Sequence, residues 1–218
     1  MKNILSSYAL LLLLSLIMLR NPALAQETLL VDDFENGLNP AWTSKSFQGD
    51  TLYSIVSSNG EKVLQATSSN AASGLIFERK IDILKYPILS WRWKVENVLE
   101  RGDARNKATD DYAARIYVTF PHWYYPKTTS LNYIWANRLP KGTSIPSPFT
   151  ANSMMFAVES GKEKIGQWVS MQRNLVDDYR LAFGKEPPGT AILSIMTDTE
   201  NTGSKARAWY DDIILLSE

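Results

Sequence analysis

The chain has 218 residues, with 23 lysine and arginine residues against 23 aspartate and glutamate residues, and it contains no cysteine. A balanced charge lacks the basic surface that nucleic-acid phosphates require, so nucleic acid is excluded as a partner. The absence of cysteine excludes disulfide bonds, and the stability of the fold must therefore come from apolar burial.

The first 25 residues have the pattern of a secretory signal peptide. Lys2 provides a basic start, residues 8–19 are apolar, and Ala23-Leu24-Ala25 forms a small-x-small cleavage site. This apolar run is too short for a membrane-spanning helix, which needs about 20 residues. We therefore predict cleavage after Ala25, a periplasmic or secreted location, and membrane contact only during export. An uncleaved N-terminal anchor is the alternative.

Residues 26–218 have the pattern of a single all-β domain. Short runs rich in β-branched and aromatic residues are separated by glycine, asparagine and serine clusters, which is typical of strands and turns. About eleven strands at this spacing favour an antiparallel β-sandwich or jelly roll over an alternation of strands and helices. The predicted strands cover residues 28–34, 51–57, 62–67, 74–80, 88–95, 112–120, 131–135, 154–159, 168–172, 191–197 and 207–216.

One short helix is predicted near residues 174–184. Asn174 suits an N-cap, Asp177 is placed to bond back to it, and Gly184 suits the C-terminal end. Two prolines after the glycine prevent the helix from resuming. We expect the helix to cover one end of the sandwich or an open sheet edge.

Acidic residues occur in or next to the first and last predicted strands. Asp33 and Glu35 lie at the end of the first strand, and Asp211 and Asp212 lie within the last. If these strands are neighbours, the four carboxylates converge into an oxygen-rich site that suits a structural calcium ion. An acidic sheet edge that discourages the addition of another strand explains the same residues. Residues 198–203 also resemble a small calcium loop, although an ordinary turn is favoured there.

Two strands are predicted to present basic side chains on an outer face. Alternation points both tryptophans of the run 91–95 inward and points Arg92 and Lys94 outward. The same alternation points Arg115 and Tyr117 outward from a later strand. If the two strands are neighbours, these four side chains share one face. Such a face would either recognise a carboxylate or acidic sugar, or be a solvated surface of cross-strand pairs.

Aromatic side chains are concentrated in and after the loop of residues 121–130. Trp123 lies in this loop, and Tyr133 and Trp135 alternate along the following strand. Exposed aromatic rings stack on the apolar faces of sugars, so these three residues are candidate ligand contacts. Asp111 is added as a candidate polar contact. For each ring, packing inside the sandwich is the alternative.

Carboxylates also provide a catalytic alternative. Asp111, Glu159 and Asp178 are candidates for the acid and base of a polysaccharide hydrolase or lyase, which for hydrolysis lie about 5–9 Å apart. His122 is the only histidine, which excludes a histidine-rich zinc site. The sequence contains no nucleophile elbow, P-loop or dinucleotide-binding fingerprint. A non-catalytic protein is therefore favoured over an enzyme, and no residue is assigned as catalytic.

Four ordered segments resemble an uncharacterised family of exported bacterial proteins, a domain-of-unknown-function family. They are residues 91–93 (WRW), 110–115 (DDYAAR), 177–184 (DDYRLAFG) and 197–203 (TDTENTG). This resemblance covers nearly the whole mature chain and implies no activity. Separately, the acidic terminal strands are similar to those of jelly-roll carbohydrate-binding modules. That second similarity implies a structural calcium ion at the acidic positions.

These observations predict an exported, non-catalytic protein that binds a glycan or another small polar ligand on one sheet face and the adjoining loops. Arg92, Arg115 and Tyr117 would orient polar groups, and Trp123 or Trp135 would stack on the ligand. Two alternatives stay open. One is the carboxylate enzyme, and the other is a structural envelope protein whose exposed aromatic loop contacts a protein partner.

Overall fold

The computed structural model of the protein describes residues 26–218. The predicted signal peptide and its cleavage site lie outside the described residues. Residues 26–218 form two β-sheets packed face to face, with one α-helix, which confirms the predicted all-β sandwich. Within this range, no helix has the length and apolar character needed to cross a lipid bilayer.

The first sheet, sheet A, contains both terminal strands of the described chain. Its strands are β1 (Thr28–Asp32), β3 (Leu52–Ser58), β4 (Glu61–Ser69), β6 (Ile88–Val95), β11 (Val169–Asn174) and β13 (Lys205–Leu216). Their order is β11-β6-β13-β4-β3, and β1 pairs with the second half of β13. The first and last strands are therefore neighbours, which is the condition that the predicted calcium site required.

The second sheet, sheet B, has seven strands. They are β2 (Trp42–Gln48), β5 (Ala72–Asp82), β7 (Arg115–Phe120), β8 (Thr129–Ala136), β9 (Ser144–Pro146), β10 (Ser153–Ser160) and β12 (Thr190–Asp198). Their order is β2-β5-β12-β7-β8-β10-β9, with β8 and β10 parallel and the other pairs antiparallel. The sequence did not predict β2 or β9, because β2 has no apolar alternation and β9 is only three residues long.

Large aromatic rings fill the space between the two sheets. Trp91 and Trp93 of sheet A contact each other with ring centres 5.4 Å apart. Trp91 also contacts Tyr133 of sheet B at 5.5 Å, and Trp93 contacts Trp135 at 6.0 Å. All four side chains are buried. The predicted inward orientation of both tryptophans is confirmed, and burial of such large rings is a main source of stability.

The predicted helix is present as α1 (Leu175–Phe183). The Asn174 Oδ1 atom accepts hydrogen bonds from the backbone N–H groups of residues 176 and 177, as an N-cap does. Gly184 ends the helix with a φ of 65°, which suits glycine. On its buried face, Tyr179 packs against Phe120 at the end of β7, with ring centres 4.7 Å apart. The helix therefore closes one end of the sandwich, next to the loop after β7.

A second apolar cluster covers half of the outer face of sheet B. Tyr112, Leu139 and Met155 are buried there with Ile134 of β8. The loops before β7 and after β8 supply this cover. The other half of the face stays open along a line from β2 to β10, and it is there that a groove forms.

Candidate ligand-binding groove

The groove runs across the open half of the outer face of sheet B. Its cavity volume is about 480 Å³, within the usual range for small-molecule sites. The lining crosses six neighbouring strands, from Lys45 on β2 to Ser153 on β10. At a strand spacing of about 4.8 Å, this distance is about 24 Å. The groove is therefore long enough for a linear ligand of several units.

Cross-strand register places the floor residues side by side. Ile76 on β5 is opposite Ser194 on β12, and Ser194 is opposite Tyr117 on β7. Gly74 lies two residues before Ile76 on β5, and a Cβ atom at this position would come within 3.1 Å of the Ile195 carbonyl oxygen. The small residues at positions 74 and 194 therefore keep the floor open between the larger side chains of Ile76 and Tyr117.

Two exposed aromatic rings stand on different sides of the floor. Phe47 on β2 is 63% exposed, and Tyr125 is 83% exposed in the segment 121–128, here called the aromatic loop. The floor strands β5 and β12 lie between β2 and β7, from which the aromatic loop continues. Lys45 Nζ lies 5.4 Å from the centre of the Phe47 ring. Within residues 26–218, Lys45 is the one lysine, arginine or carboxylate side chain that lines the groove.

The rest of the lining is rich in hydroxyl groups. These belong to Tyr117, Thr119, Thr128, Ser130, Thr150, Ser153 and Ser194, and Asn152 adds an amide. Hydroxyl and amide groups both donate and accept hydrogen bonds, whereas aromatic rings stack on flat apolar surfaces. Burial raises the pKa of Tyr117, so its phenol is a neutral donor at physiological pH. The lining therefore suits a ligand that carries many hydroxyl groups.

A buried ion pair supports one end of the floor. Arg115, only 5% exposed, donates a hydrogen bond of 2.5 Å from Nη2 to Asp198 Oδ2. Its guanidinium lies 5.1 Å from the Tyr117 ring centre and contacts the Met196 sulfur, and both of those residues line the groove. Burial raises the pKa of Asp198, and Arg115 opposes that rise. Asp110, also buried, lies 3.6 Å from Arg115 Nη1.

Three carboxyl groups near the Arg115 end of the floor lie close to one another, as the ligands of a metal ion do. Oxygen atoms of Asp111, Asp198 and Glu200 lie within 4.8 Å of one another. The carboxylate of Asp111 already accepts four hydrogen bonds, from the backbone and side chains of Asn201 and Thr202. Asp198 is paired with Arg115. Because protein donors engage the carboxylates of Asp111 and Asp198, the geometry is that of a turn anchored to the sheet, as the sequence favoured for residues 198–203.

The predicted common face of Arg92, Lys94, Arg115 and Tyr117 does not exist. Arg92 and Lys94 belong to β6 in sheet A, whereas Arg115 and Tyr117 belong to β7 in sheet B. Each pair points outward from its strand, as alternation predicted, but the two pairs are on opposite sides of the sandwich. Of these four residues, only Tyr117 lines the groove. The prediction of one shared recognition face is therefore wrong.

Arg92 and Lys94 instead take part in local pairs on the outer face of sheet A. The guanidinium of Arg92 contacts Asp211 at 2.5 Å and Asp212 at 2.9 Å. Lys94 Nζ lies between two indole rings, 5.1 Å from the centre of Trp168 and 4.3 Å from that of Trp209. These contacts correspond to the solvated face of cross-strand pairs that the sequence left open.

The aromatic and acidic ligand candidates are mostly inside the protein. Tyr133 and Trp135 point into the core, where Tyr133 donates a hydrogen bond of 2.7 Å to Asp178. Asp111 is completely buried. In this structure none of these three can touch a ligand on the surface, which corrects their assignment as ligand contacts. Trp123 is 91% exposed at the tip of the aromatic loop, but it is not part of the groove lining.

The predicted calcium site at the terminal strands is not formed. Asp33 accepts a hydrogen bond from the backbone of Glu35, and Glu35 accepts one from the backbone of Lys62. Asp211 and Asp212 contact Arg92, which supplies the positive charge that a cation would bring. In the described part of the chain, no three of the four predicted ligands meet the 4.8 Å spacing. Burial raises the pKa of Asp211 to about 6, although Arg92 opposes the rise.

The carboxylates considered for catalysis do not face one another across a cleft. Asp111 is engaged by the turn after β12, and Glu159 contacts Lys141 and Lys164. Asp178 is paired with Arg173. Sequence reasoning missed Lys45 and Phe47, because β2 was not recognised as a strand. It also gave no weight to Ser194, whose role depends on the register of β12 against its two neighbours.

Comparison with known proteins shows the family of this chain. A family model described as "Protein of unknown function (DUF3047)" matches residues 40–214. No curated protein matches the sequence significantly. The resemblance to an uncharacterised family is therefore confirmed.

Several solved structures are similar to this chain at low sequence identity. A family 30 carbohydrate-binding module from Clostridium thermocellum is 13% identical, with a TM-score of 0.47 over 82% of this chain and 92% of the module. A xylan-binding domain from Paenibacillus barcinonensis is 13% identical, with a TM-score of 0.41 over 89% of this chain and 98% of that domain. A cellulase derived from the Rhodothermus marinus enzyme is 13% identical, with a TM-score of 0.45 over 88% of this chain and the whole of that chain. The xylan and cellulase activities are properties of those proteins.

Proposed function

The chain belongs to the DUF3047 family of proteins of unknown function, and we propose that it is an exported protein that binds a glycan in the groove on sheet B. The observation that carries this proposal is the composition of the groove. Hydroxyl groups from four neighbouring strands form its floor, and exposed aromatic rings stand on either side. Sugars present both hydroxyl groups and flat apolar faces, so they match both parts of this lining.

The ligand class follows from the charges in the groove. Lys45 brings one positive charge, and no carboxylate of the described chain lines the groove. Lys45 can pair with one carboxylate of a ligand, but further carboxylates would be buried unpaired beside hydroxyl groups, which is costly, so an uncharged polymer is favoured over a strongly acidic one. A length of about 24 Å favours an oligosaccharide of several residues over a single sugar. The alternative of a structural envelope protein fits less well, since that reading required an aromatic patch without a groove.

A panel of linear oligosaccharides tests the proposal by titration calorimetry. The panel contains neutral chains from bacterial envelopes and plant cell walls, acidic chains of the same length, and single sugars. We expect saturable binding of at least one neutral chain and weaker binding of its shorter fragments. Failure of every neutral chain to bind, with protein shown to be folded, would contradict the proposal.

The first mutational prediction concerns the aromatic wall. Tyr125→Ala should weaken glycan binding about tenfold, because loss of a stacking ring costs about 1–1.5 kcal/mol. Tyr125→Phe keeps the ring and should bind nearly as well as the wild type. Phe149→Ala serves as a matched control, because Phe149 is an exposed aromatic side chain on the loop after β9 that is not part of the groove lining. Equal losses of glycan affinity in the Tyr125→Ala and Phe149→Ala variants would contradict the assignment of the groove as the binding site.

The second prediction concerns export. When the full chain is produced in a bacterial host, the mature protein should begin at Gln26, because Ala23-Leu24-Ala25 is a small-x-small cleavage site. Mass spectrometry of the N-terminal peptide from the periplasmic or culture fraction measures this. Ala25→Lys should block cleavage and leave the longer chain. A wild-type chain that stays in the cytoplasm with its first 25 residues intact would refute the prediction.

A further inference from the structure

The only histidine of the chain lies in the aromatic loop, beside the groove wall. The backbone N–H of Tyr124 donates a hydrogen bond of 3.0 Å to His122 Nδ1. The backbone N–H of His122 donates in turn to Thr128 Oγ1, at 3.1 Å. The imidazole therefore bonds to the backbone two residues further on, as an aspartate or asparagine side chain does in an Asx-turn.

This bond helps to hold the part of the loop that faces the groove. Tyr124 O accepts from the N–H of Lys127, and Tyr125 O accepts from the N–H of Thr128, which makes one 3-10 turn. Tyr125 and Thr128 both line the groove. The two bonds of His122 thus connect the start and the end of the loop. A change at His122 is passed to Tyr125 through the adjacent Tyr124 amide.

We propose that His122 is a positioning residue for the groove, and that it holds Tyr125 in place only while its Nδ1 atom is unprotonated. A neutral imidazole has one acceptor nitrogen, whereas the imidazolium ion has two donors and no acceptor. Protonation therefore breaks the bond from Tyr124 and sets two N–H groups against each other. Histidine side chains change charge between pH 5 and 8. The effect of this change on binding rests on the proposed function, but its effect on the loop does not.

The charged groups around His122 are cations. The cavity that His122 lines also contains Lys127 from its own loop, Tyr179 from α1 and Lys185 from the segment after α1. Within residues 26–218, no carboxylate lines this cavity. The Trp123 ring lies 5.6 Å from the imidazole and has no acceptor nitrogen. The freed Tyr124 amide would then turn to water or to another acceptor, and the loop would move with it.

Two variants distinguish the loss of the acceptor atom at residue 122 from its protonation. His122→Asn keeps an acceptor atom close to the position of Nδ1 but does not titrate. His122→Ala removes the acceptor at every pH. In the ligand-free mature protein, nuclear magnetic resonance follows the Tyr124 and Tyr125 amide signals from pH 8 to pH 5.

We expect both wild-type amide signals to shift with the same midpoint as the ring protons of His122. In His122→Asn they should stay near their pH 8 positions, and in His122→Ala they should resemble the acidic wild type throughout. Wild-type amides that ignore the titration of His122, or a His122→Asn protein that keeps the shift, would overturn the proposal. This readout needs no ligand, so it stands apart from any failure of the proposed function.

Binding of a glycan identified in the panel provides the second readout. Between pH 8 and pH 5 the glycan affinity of the wild type should fall about fivefold, because one hydrogen bond is lost. The His122→Asn variant should lose much less over the same range. Carboxyl groups with raised pKa values, such as Asp198, are the same in both proteins, so any contribution from them cancels in this comparison. An equal pH dependence in both proteins would show that His122 does not act on the groove.

Discussion

Arg115→Met is expected to lower the free energy of unfolding by about 3–5 kcal/mol at pH 7.5, because it leaves a buried carboxylate without its partner. Arg115 is 5% exposed and Asp198 is fully buried, so water cannot replace the lost hydrogen bond. The guanidinium also lies against Tyr117 and Met196 on the groove floor. Chemical denaturation of the mature protein measures the loss, and a loss below about 1 kcal/mol would contradict the assignment of a buried ion pair.

The pH dependence of this loss has a defined sign. Burial raises the pKa of Asp198 in the folded protein above its ordinary value, so the folded state gains stability where Asp198 is protonated and loses it as the pH rises through the folded pKa. Removal of Arg115 takes away the group that opposes this rise. The free energy of unfolding of the Arg115→Met protein should therefore lie further below that of the wild type at pH 8 than at pH 5.

A second variant separates the ion pair from simple loss of packing. Arg115→Met combined with Asp198→Asn removes both charges and should recover part of the stability lost in the single variant. If the double variant is no more stable than the sum of the two single losses predicts, Arg115 and Asp198 do not stabilise each other. Asp110, which lies 3.6 Å from Arg115 Nη1, would then be the next partner to test.

Ser194→Phe is expected to abolish binding of the glycan, with a loss of at least about 100-fold in affinity, or about 2.7 kcal/mol. Ser194 lies on the floor between Ile76 and Tyr117, and a phenyl ring there would occupy the space that the small side chain leaves open. The side chain faces the groove and not the core, so the folded state should lose less than about 1 kcal/mol. Calorimetric titration and thermal unfolding measure the two effects.

Ser170→Phe is the matched control for this variant. Ser170 is an exposed serine on β11, opposite Arg92, on the outer face of sheet A. The same substitution there adds the same apolar ring on the far side of the sandwich. It should leave glycan affinity within about twofold of the wild type. If Ser194→Phe still binds normally, the ligand site is not the groove.

The sequence predicted local features better than long-range ones. Alternation correctly assigned Trp91 and Trp93 to the core and Arg92 to the surface, because side-chain direction repeats every two residues along any strand. Asn174 and Gly184 correctly marked α1, since capping depends on neighbouring residues in the chain. The prediction that Trp135 contacts ligand failed, because whether a residue on an aromatic-rich strand lies inside or outside depends on which sheet it joins.

The sequence by itself determined that this protein is an all-β sandwich with a short helix and a tryptophan-rich interior. Only the tertiary structure decided that β6 and β7 lie in different sheets, which separates Arg92 from Arg115 and removes the predicted recognition face. Only it placed Ser194 between Ile76 and Tyr117, and so made a groove from residues far apart in the chain. Strand order and register are set by packing between distant segments, and the two-residue period that reveals a strand carries no information about its neighbours.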